Sequence, residues 1–203
     1  MDNREELSKI DVSTLVNYHQ EERWLEFKQT MSWSDRASQA RIVKAILAMS
    51  NIKDGGWIVV GKKEQGNGTF AKSGMTKDHF NSYDSDQVRT VVDNYADPCA
   101  FIDLKKDEIG GKRYVIIRVK EFDEIPVICK KSYSGILDEG TIYTRSMGGR
   151  PESIPVPSQT EMREITRMAT TKGIRRWFEQ AKEIGVSTEA DEAKFKKQMR
   201  DLP

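Results

Sequence analysis

The sequence lacks the features that would settle its class at a glance. Its 203 residues contain no apolar run approaching the ~18 needed to cross a bilayer. The opening residues, MDNREELSKID, are acidic and hold no hydrophobic signal region. Two cysteines, Cys99 and Cys129, are too few and too far apart for a disulfide framework or a zinc knuckle. A cytoplasmic, reduced protein with both thiols buried is therefore the expectation. Neither a GxGxxG stretch nor a glycine-rich loop ending in Gly-Lys-Ser/Thr occurs, so no ATP or dinucleotide is expected. His19 and His79, the two histidines, are isolated and read as surface or partly buried residues. There is no internal repeat and no low-complexity tract.

Net charge is also nearly missing. Lys+Arg minus Asp+Glu is 33 − 32 = +1, although charged residues make up 32% of the chain. That balance excludes a histone-like polycation and an acidic disordered tail. It does not exclude nucleic acid, because the charges are unevenly spread. Residues 1–26 carry three basic and seven acidic side chains, whereas 141–176 carry seven basic and three acidic. Such asymmetry suits a molecule with one basic face. With 37% hydrophobic residues the chain can bury a core, and its length suits one generous domain or a domain of roughly 150 residues with an appendage.

Hydrophobic spacing predicts a helix over 4–18, then a strand in which Leu25 and Phe27 face one side and Trp24, Glu26 and Lys28 the other. Ser34-Asp35 caps a helix to about Met49, with Ile42, Ala45, Ile46 and Met49 as its stripe. Asp54-Gly55-Gly56 reverses the chain into a central strand, Trp57–Gly61. Residues 62–74 read as an exposed loop and 85–95 as a helix. Strands are expected at 100–104, 114–119 and 125–129, with Gly110-Gly111 as a hairpin turn. A last hairpin pairs 135–137 with 141–145 around Asp138-Glu139-Gly140. Ser158 and Glu161 form a capping box for a helix through Met168, and further helices are expected over about 174–184 and 188–200. The sum is an α+β fold: a mixed, largely antiparallel sheet with helices packed on one side, plus C-terminal helices.

Glu21, Glu22 and Glu26 cluster at the first strand, followed by Lys28. Clustered carboxylates are the usual means of holding Mg²⁺ or Mn²⁺ against a phosphodiester, and Glu26-Phe27-Lys28 is the Glu-x-Lys fragment of many metal-dependent nucleases. From these residues alone, the simpler reading is that Glu21 and Glu22 end a solvated helix. Lys62, Lys63, Lys72 and Lys77 flank the 62–74 loop, and Arg145 and Arg150 flank a Gly-Gly tip. Basic side chains on mobile tips suit phosphate contacts, or merely solubility.

These pieces combine into a recognisable order. Glu21-x-x-x-Leu25-Glu26-Phe27-Lys28, Ile42-x-x-x-Ile46-x-Ala48-x-x-Asn51 and Gly55-Gly56-Trp57-Ile58-Val59-Val60-Gly61 resemble the Schlafen-type AlbA-like domain. So do Pro98, Gly111-Lys112, the strand 114–119, Pro126, Tyr143-Thr144-Arg145 and the helix from Ser158. The resemblance covers about 15–170, leaving an N-terminal helix in 1–20 and a helical extension in 172–203. It implies an α+β domain that binds nucleic acid, RNA before DNA. In animal Schlafen proteins two such lobes form a horseshoe that cleaves tRNA and rRNA with clustered acids. By position the first two acids are Glu21 and Glu26. The third, usually an aspartate, falls in Gly61-Lys62-Lys63-Glu64, where only Glu64 can serve.

The resemblance thus implies Glu21, Glu26 and Lys28 as catalytic, and Glu21, Glu26 and Glu64 as ligands of Mg²⁺ or Mn²⁺. Lys28, Lys62, Lys63, Arg145 and Arg150 would contact nucleic acid. A single lobe would dimerise, with the C-terminal helices as interface. Three readings stand: a metal-dependent endoribonuclease on structured RNA such as tRNA, a non-catalytic DNA- or RNA-binding module of a regulator or defence complex, or an assembly subunit.

Overall fold

The computed structural model describes residues 11–66, 68–183, 197 and 200. In chain order the elements are α1 (Val12–Asn17), β1 (Leu25–Lys28), α2 (Arg36–Ser50), β2 (Gly56–Val60), β3 (Lys62–Glu64) and β4 (Phe70–Lys72). Then come α3 (Lys77–Asn81), α4 (Ser85–Asp93), β5 (Ala96–Asp97), β6 (Ile102–Ile109), β7 (Lys112–Val119) and β8 (Ile128–Cys129). The chain closes with β9 (Tyr143–Arg145), β10 (Ser153–Pro155) and α5 (Gln159–Glu183). The α+β class is as expected.

A four-stranded sheet in the order β1-β2-β7-β6 is the frame. Only β1 and β2 run parallel; β2–β7 and β6–β7 are antiparallel, the latter turning at Gly110-Gly111, both with positive φ. Alternation sorts the side chains. Ile58, Val60, Val115 and Ile117 pack with α2 in the larger core, while Leu25, Phe27, Val59 and Ile116 pack with Val12, Leu15 and Val16 of α1. Helices therefore cover both faces, not one. The six-residue α1 does so because its three apolar residues are all buried.

Asp35 caps α2 through Ser38 N, as its position predicts. Gly55 and Gly56 are required by contact. Gly55 has φ +67°, and a Cβ there would strike the Val119 carbonyl oxygen. A Cβ on Gly56 would lie 2.6 Å from Trp24 O.

Four expectations are corrected. The 62–74 loop is a β3–β4 hairpin pairing Lys62 with Lys72 and Glu64 with Phe70. Residues 135–137 do not pair with 141–145; β9 pairs with β10, opposing Arg145 to Ser153. The strand expected over 125–129 is reduced to β8, which pairs with β5. The helix begun at Ser158 does not stop near Met168 but continues to Glu183. It is pinned at mid-length by Lys172, which donates to Phe122 O and pairs with Glu121. Residues 1–10 of the first expected helix lie outside the described residues. So does the helix over 188–200, apart from 197 and 200. Cys129 is buried but Cys99 is exposed. No helix among the described residues is long and apolar enough to cross a membrane.

Candidate functional site

β1 is an edge strand, so one row of its backbone groups needs partners from outside the sheet. Side chains supply them. Glu21, just upstream, folds back so that Oε1 accepts from Phe27 N at 2.8 Å. Arg145, at the end of β9, donates to the carbonyls of Glu22, Arg23 and Leu25 at 3.3–3.5 Å. Arg23 answers by donating to Arg145 O and, through both terminal nitrogens, to Glu164 of α5. The β9–β10 hairpin is thus fastened to β1 by guanidinium groups.

Glu26 sits inside this junction. Its Oε2 accepts from Arg145 Nη1 at 2.7 Å and from Ser153 Oγ at 2.8 Å, and its Oε1 pairs with Lys28 Nζ. Burial alone would raise the Glu26 pKa, but Lys28 and Arg145 hold it below the ordinary value. Arg145 is 1% exposed. It is not available to a phosphate, contrary to its sequence assignment. Its charge is spent on Glu26 and the edge carbonyls.

Beside this buried pair lies an open one. Arg150, on the tip between β9 and β10, donates from Nε to Glu21 Oε2 at 3.3 Å and from Nη1 to Glu64 Oε1 at 2.5 Å. Its guanidinium lies 5.3 Å from the Phe70 ring centroid. Burial raises the Glu21 pKa, against the Phe27 hydrogen bond and the nearby arginines.

Glu21, Glu26, Lys28, Glu64, Arg145 and Arg150 all border one cleft of about 970 Å³. The structure therefore gathers residues up to 129 positions apart that the sequence singles out. Arg41 and Lys44, one turn apart on α2, border the same cleft and were not identified in the sequence. The available signal was their spacing, two cations at i and i+3 beside the apolar stripe. Lys44 lies 5.2 Å over the Tyr143 ring. His79 is at the cleft too, bonded to Thr30 at 3.0 Å.

Lys63 is exposed, as β alternation requires of a residue next to a buried one. Lys62 is that buried neighbour, and its placement corrects the expectation of a surface lysine. It is 0% exposed. Its Nζ donates to Val16 O at 2.9 Å and Tyr18 O at 2.6 Å, holding the end of α1, and lies over the Phe27 ring. Burial, aided by Lys72, lowers its pKa from 10.5 to about 8. Between those values the unfolded chain binds more protons, so stability rises with pH across the window and the penalty is complete below it. Wild type should gain stability relative to Lys62→Met as pH goes from 7.5 toward 10. Denaturation midpoints of both proteins measure this; a constant difference would refute the assignment.

A divalent cation needs carboxylate oxygens free to turn toward it. Both oxygens of Glu21 and of Glu26 already accept from nitrogen or hydroxyl donors, and Glu64 is shared with Arg150. Among the described residues no group of three His, Cys, Asp or Glu side chains is placed to hold a metal ion. In this arrangement the residues do not fit a three-carboxylate Mg²⁺ or Mn²⁺ site, because a guanidinium stands between Glu21 and Glu64.

One solved structure shares the architecture. The DIP2311 protein of Corynebacterium diphtheriae superposes with a TM-score of 0.53 at 16% identity, covering 80% of this chain. The chain spans only 28% of that protein's length. The N-terminal domain of a RecG-related protein from Nitrosomonas europaea gives 0.41 at 18% identity, over 77% of this chain and 93% of that domain. No curated protein matches the sequence. The model of the Schlafen AlbA_2 family matches residues 21–150, a span running from the first cleft glutamate to the tip arginine. The chain belongs to the Schlafen AlbA_2 family.

Proposed function

We propose that the cleft binds the phosphate backbone of nucleic acid. The observation that carries this reading is the division of its charges. Glu21 and Glu26 are turned into the wall and tied to its donors, whereas Arg41 and Arg150 are exposed at the cleft and Lys44 partly so; Asp35 and Glu152 are exposed there too, and Glu64 is held by Arg150. A duplex or a folded RNA would find guanidinium and ammonium groups at the rim for its phosphates. Family membership supports the same partner class. Labelled tRNA and duplex DNA, titrated by fluorescence anisotropy at several salt concentrations, test it. Replacing Arg41 and Lys44 together by alanine should weaken binding and reduce the log–log salt slope by about two. Absence of binding at low salt, or an unchanged slope in that variant, would sink the proposal.

The second reading is a metal-dependent endoribonuclease on structured RNA such as tRNA, with Mg²⁺ or Mn²⁺. What favours it is that Glu21, Glu26 and Lys28 share one wall, and that burial lifts the Glu21 pKa, a property of carboxyls that exchange protons during a reaction. It requires Arg150 to leave Glu21 and Glu64. RNA cleavage with Mn²⁺ that is lost in EDTA and in Glu21→Gln would establish it; binding without cleavage leaves the binding module. A homodimer through the C-terminal helices belongs to the same proposal, supported by Trp177, 58% exposed on α5. Sedimentation of the whole chain tests it, a monomer at all concentrations being the negative result.

A further inference from the structure

The two arginines of the cleft differ in kind. The Arg145–Glu26 pair is 1% and 5% exposed, so neither charge can leave without stranding the other. The Arg150–Glu64 pair is 45% and 37% exposed, and ion pairs in such surroundings are weak enough to exchange. The backbone around Arg150 permits movement. Ser146 N donates to Glu152 O at 3.0 Å and Glu152 N to Ser146 Oγ at 2.9 Å, closing the base of the tip independently of Arg150. Between these bonds lie Gly148 and Gly149, the latter with φ +63°, and neither has any atom near the position of a Cβ. Arg150's other partner, Glu21, is 7% exposed; when Arg150 leaves it keeps its bond to Phe27 N, and burial favours its neutral form.

Building on the reading of the cleft as a nucleic-acid site, we infer that Arg150 is its exchangeable phosphate ligand. Its guanidinium passes from Glu21 and Glu64 to a phosphodiester oxygen, and Glu64 sets affinity by competing for it. Carboxylate and phosphate offer the same fork of acceptors to the same five donors, so one group serves either partner but not both. No bond is made or broken beyond hydrogen bonds.

A double-mutant cycle on the whole chain separates this from a general charge effect. Binding of labelled tRNA is measured for wild type, Glu64→Gln, Arg150→Gln and the double variant. Melting temperatures check that these rim substitutions leave the fold intact. Glu64→Gln should tighten binding about fivefold, the scale of an exposed ion pair. Arg150→Gln should weaken it about tenfold or more, as expected for a lost charged hydrogen bond, and should lower the salt slope by about one. In the Arg150→Gln background, Glu64→Gln should change nothing. A gain that persists there would show Glu64 acting only as a repelling charge and would overturn the inference, while leaving the cleft as the binding site. Failure of wild type to bind any nucleic acid would instead overturn the reading on which the inference rests, and the inference with it. Inorganic phosphate at fixed ionic strength serves as the competing probe: phosphate binding that is lost in Arg150→Gln, with tRNA affinity equal in wild type and Arg150→Gln, would assign Arg150 to free phosphate and overturn the nucleic-acid assignment. Displacement of tRNA by phosphate in wild type but not in Arg150→Gln supports it.

Discussion

Glu26→Ala is expected to lower the unfolding free energy by about 3–5 kcal/mol, the usual consequence of stranding one member of a buried ion pair. Arg145 would keep its charge at 1% exposure, with only Ser153 and three peripheral carbonyls as partners. Glu26→Gln should cost less, since its amide oxygen still accepts from Arg145 or Ser153. The difference between wild type and Glu26→Gln depends on pH. The folded-state pKa of Glu26 lies below the ordinary 4.5. Its ionic contribution is therefore complete above 4.5 and is lost as pH falls through the folded value. Urea unfolding at pH 7 and pH 4 measures both effects. A Glu26→Ala loss under about 1 kcal/mol, typical of exposed pairs, would show that the junction is open to solvent. The same result governs functional work: loss of activity in Glu26→Ala would report unfolding as readily as catalysis. Glu21→Gln, whose neighbour Arg150 remains solvated, is the cleaner probe.

Asn51→Ala should cost about 2–4 kcal/mol, because it orphans several buried backbone groups at once. Asn51 is fully buried at the end of α2. Its Nδ2 donates to Leu47 O, Val127 O and Tyr143 O at 2.8–3.1 Å, and its Oδ1 accepts from Val127 N at 2.8 Å. One amide thus joins the helix that carries Arg41 and Lys44 to the strand that ends in Arg145. Asn51→Asp should be at least as harmful despite nearly identical shape. It would aim an oxygen, ionised or protonated at a cost, at the Val127 and Tyr143 carbonyls. Thermal denaturation ranks the variants; an Asp variant as stable as wild type would contradict the network. Where the variants still fold, nucleic-acid affinity should fall as well, because β9 and α2 lose their common anchor.

Much of this was legible from local pattern. The alternation Leu25/Phe27 against Glu26/Lys28 placed Glu26 on the correct face of β1, and Asp35 and Ser158 marked real helix starts. Asp54-Gly55-Gly56 marked a real chain reversal, with positive φ at Asp54 and Gly55. The errors share a cause. Asp138-Glu139-Gly140 is a turn signal, but a turn does not choose the partner of the strand that follows, and Tyr143–Arg145 pairs with Ser153–Pro155. Lys62 looked like a loop cation because its acceptors, the Val16 and Tyr18 carbonyls, are more than forty residues away.

Periodicity and the order of short motifs suffice for the α+β class, for the clustering of acids around the first strand and for the family. Which charges face solvent was decided only by the tertiary structure. Arg145 and Arg150 are both arginines near one Gly-Gly tip, yet one is sealed against Glu26, 119 residues away, and the other lies open between Glu21 and Glu64. The strength and exchangeability of an ion pair follow from its solvation, and solvation is a property of the packed chain.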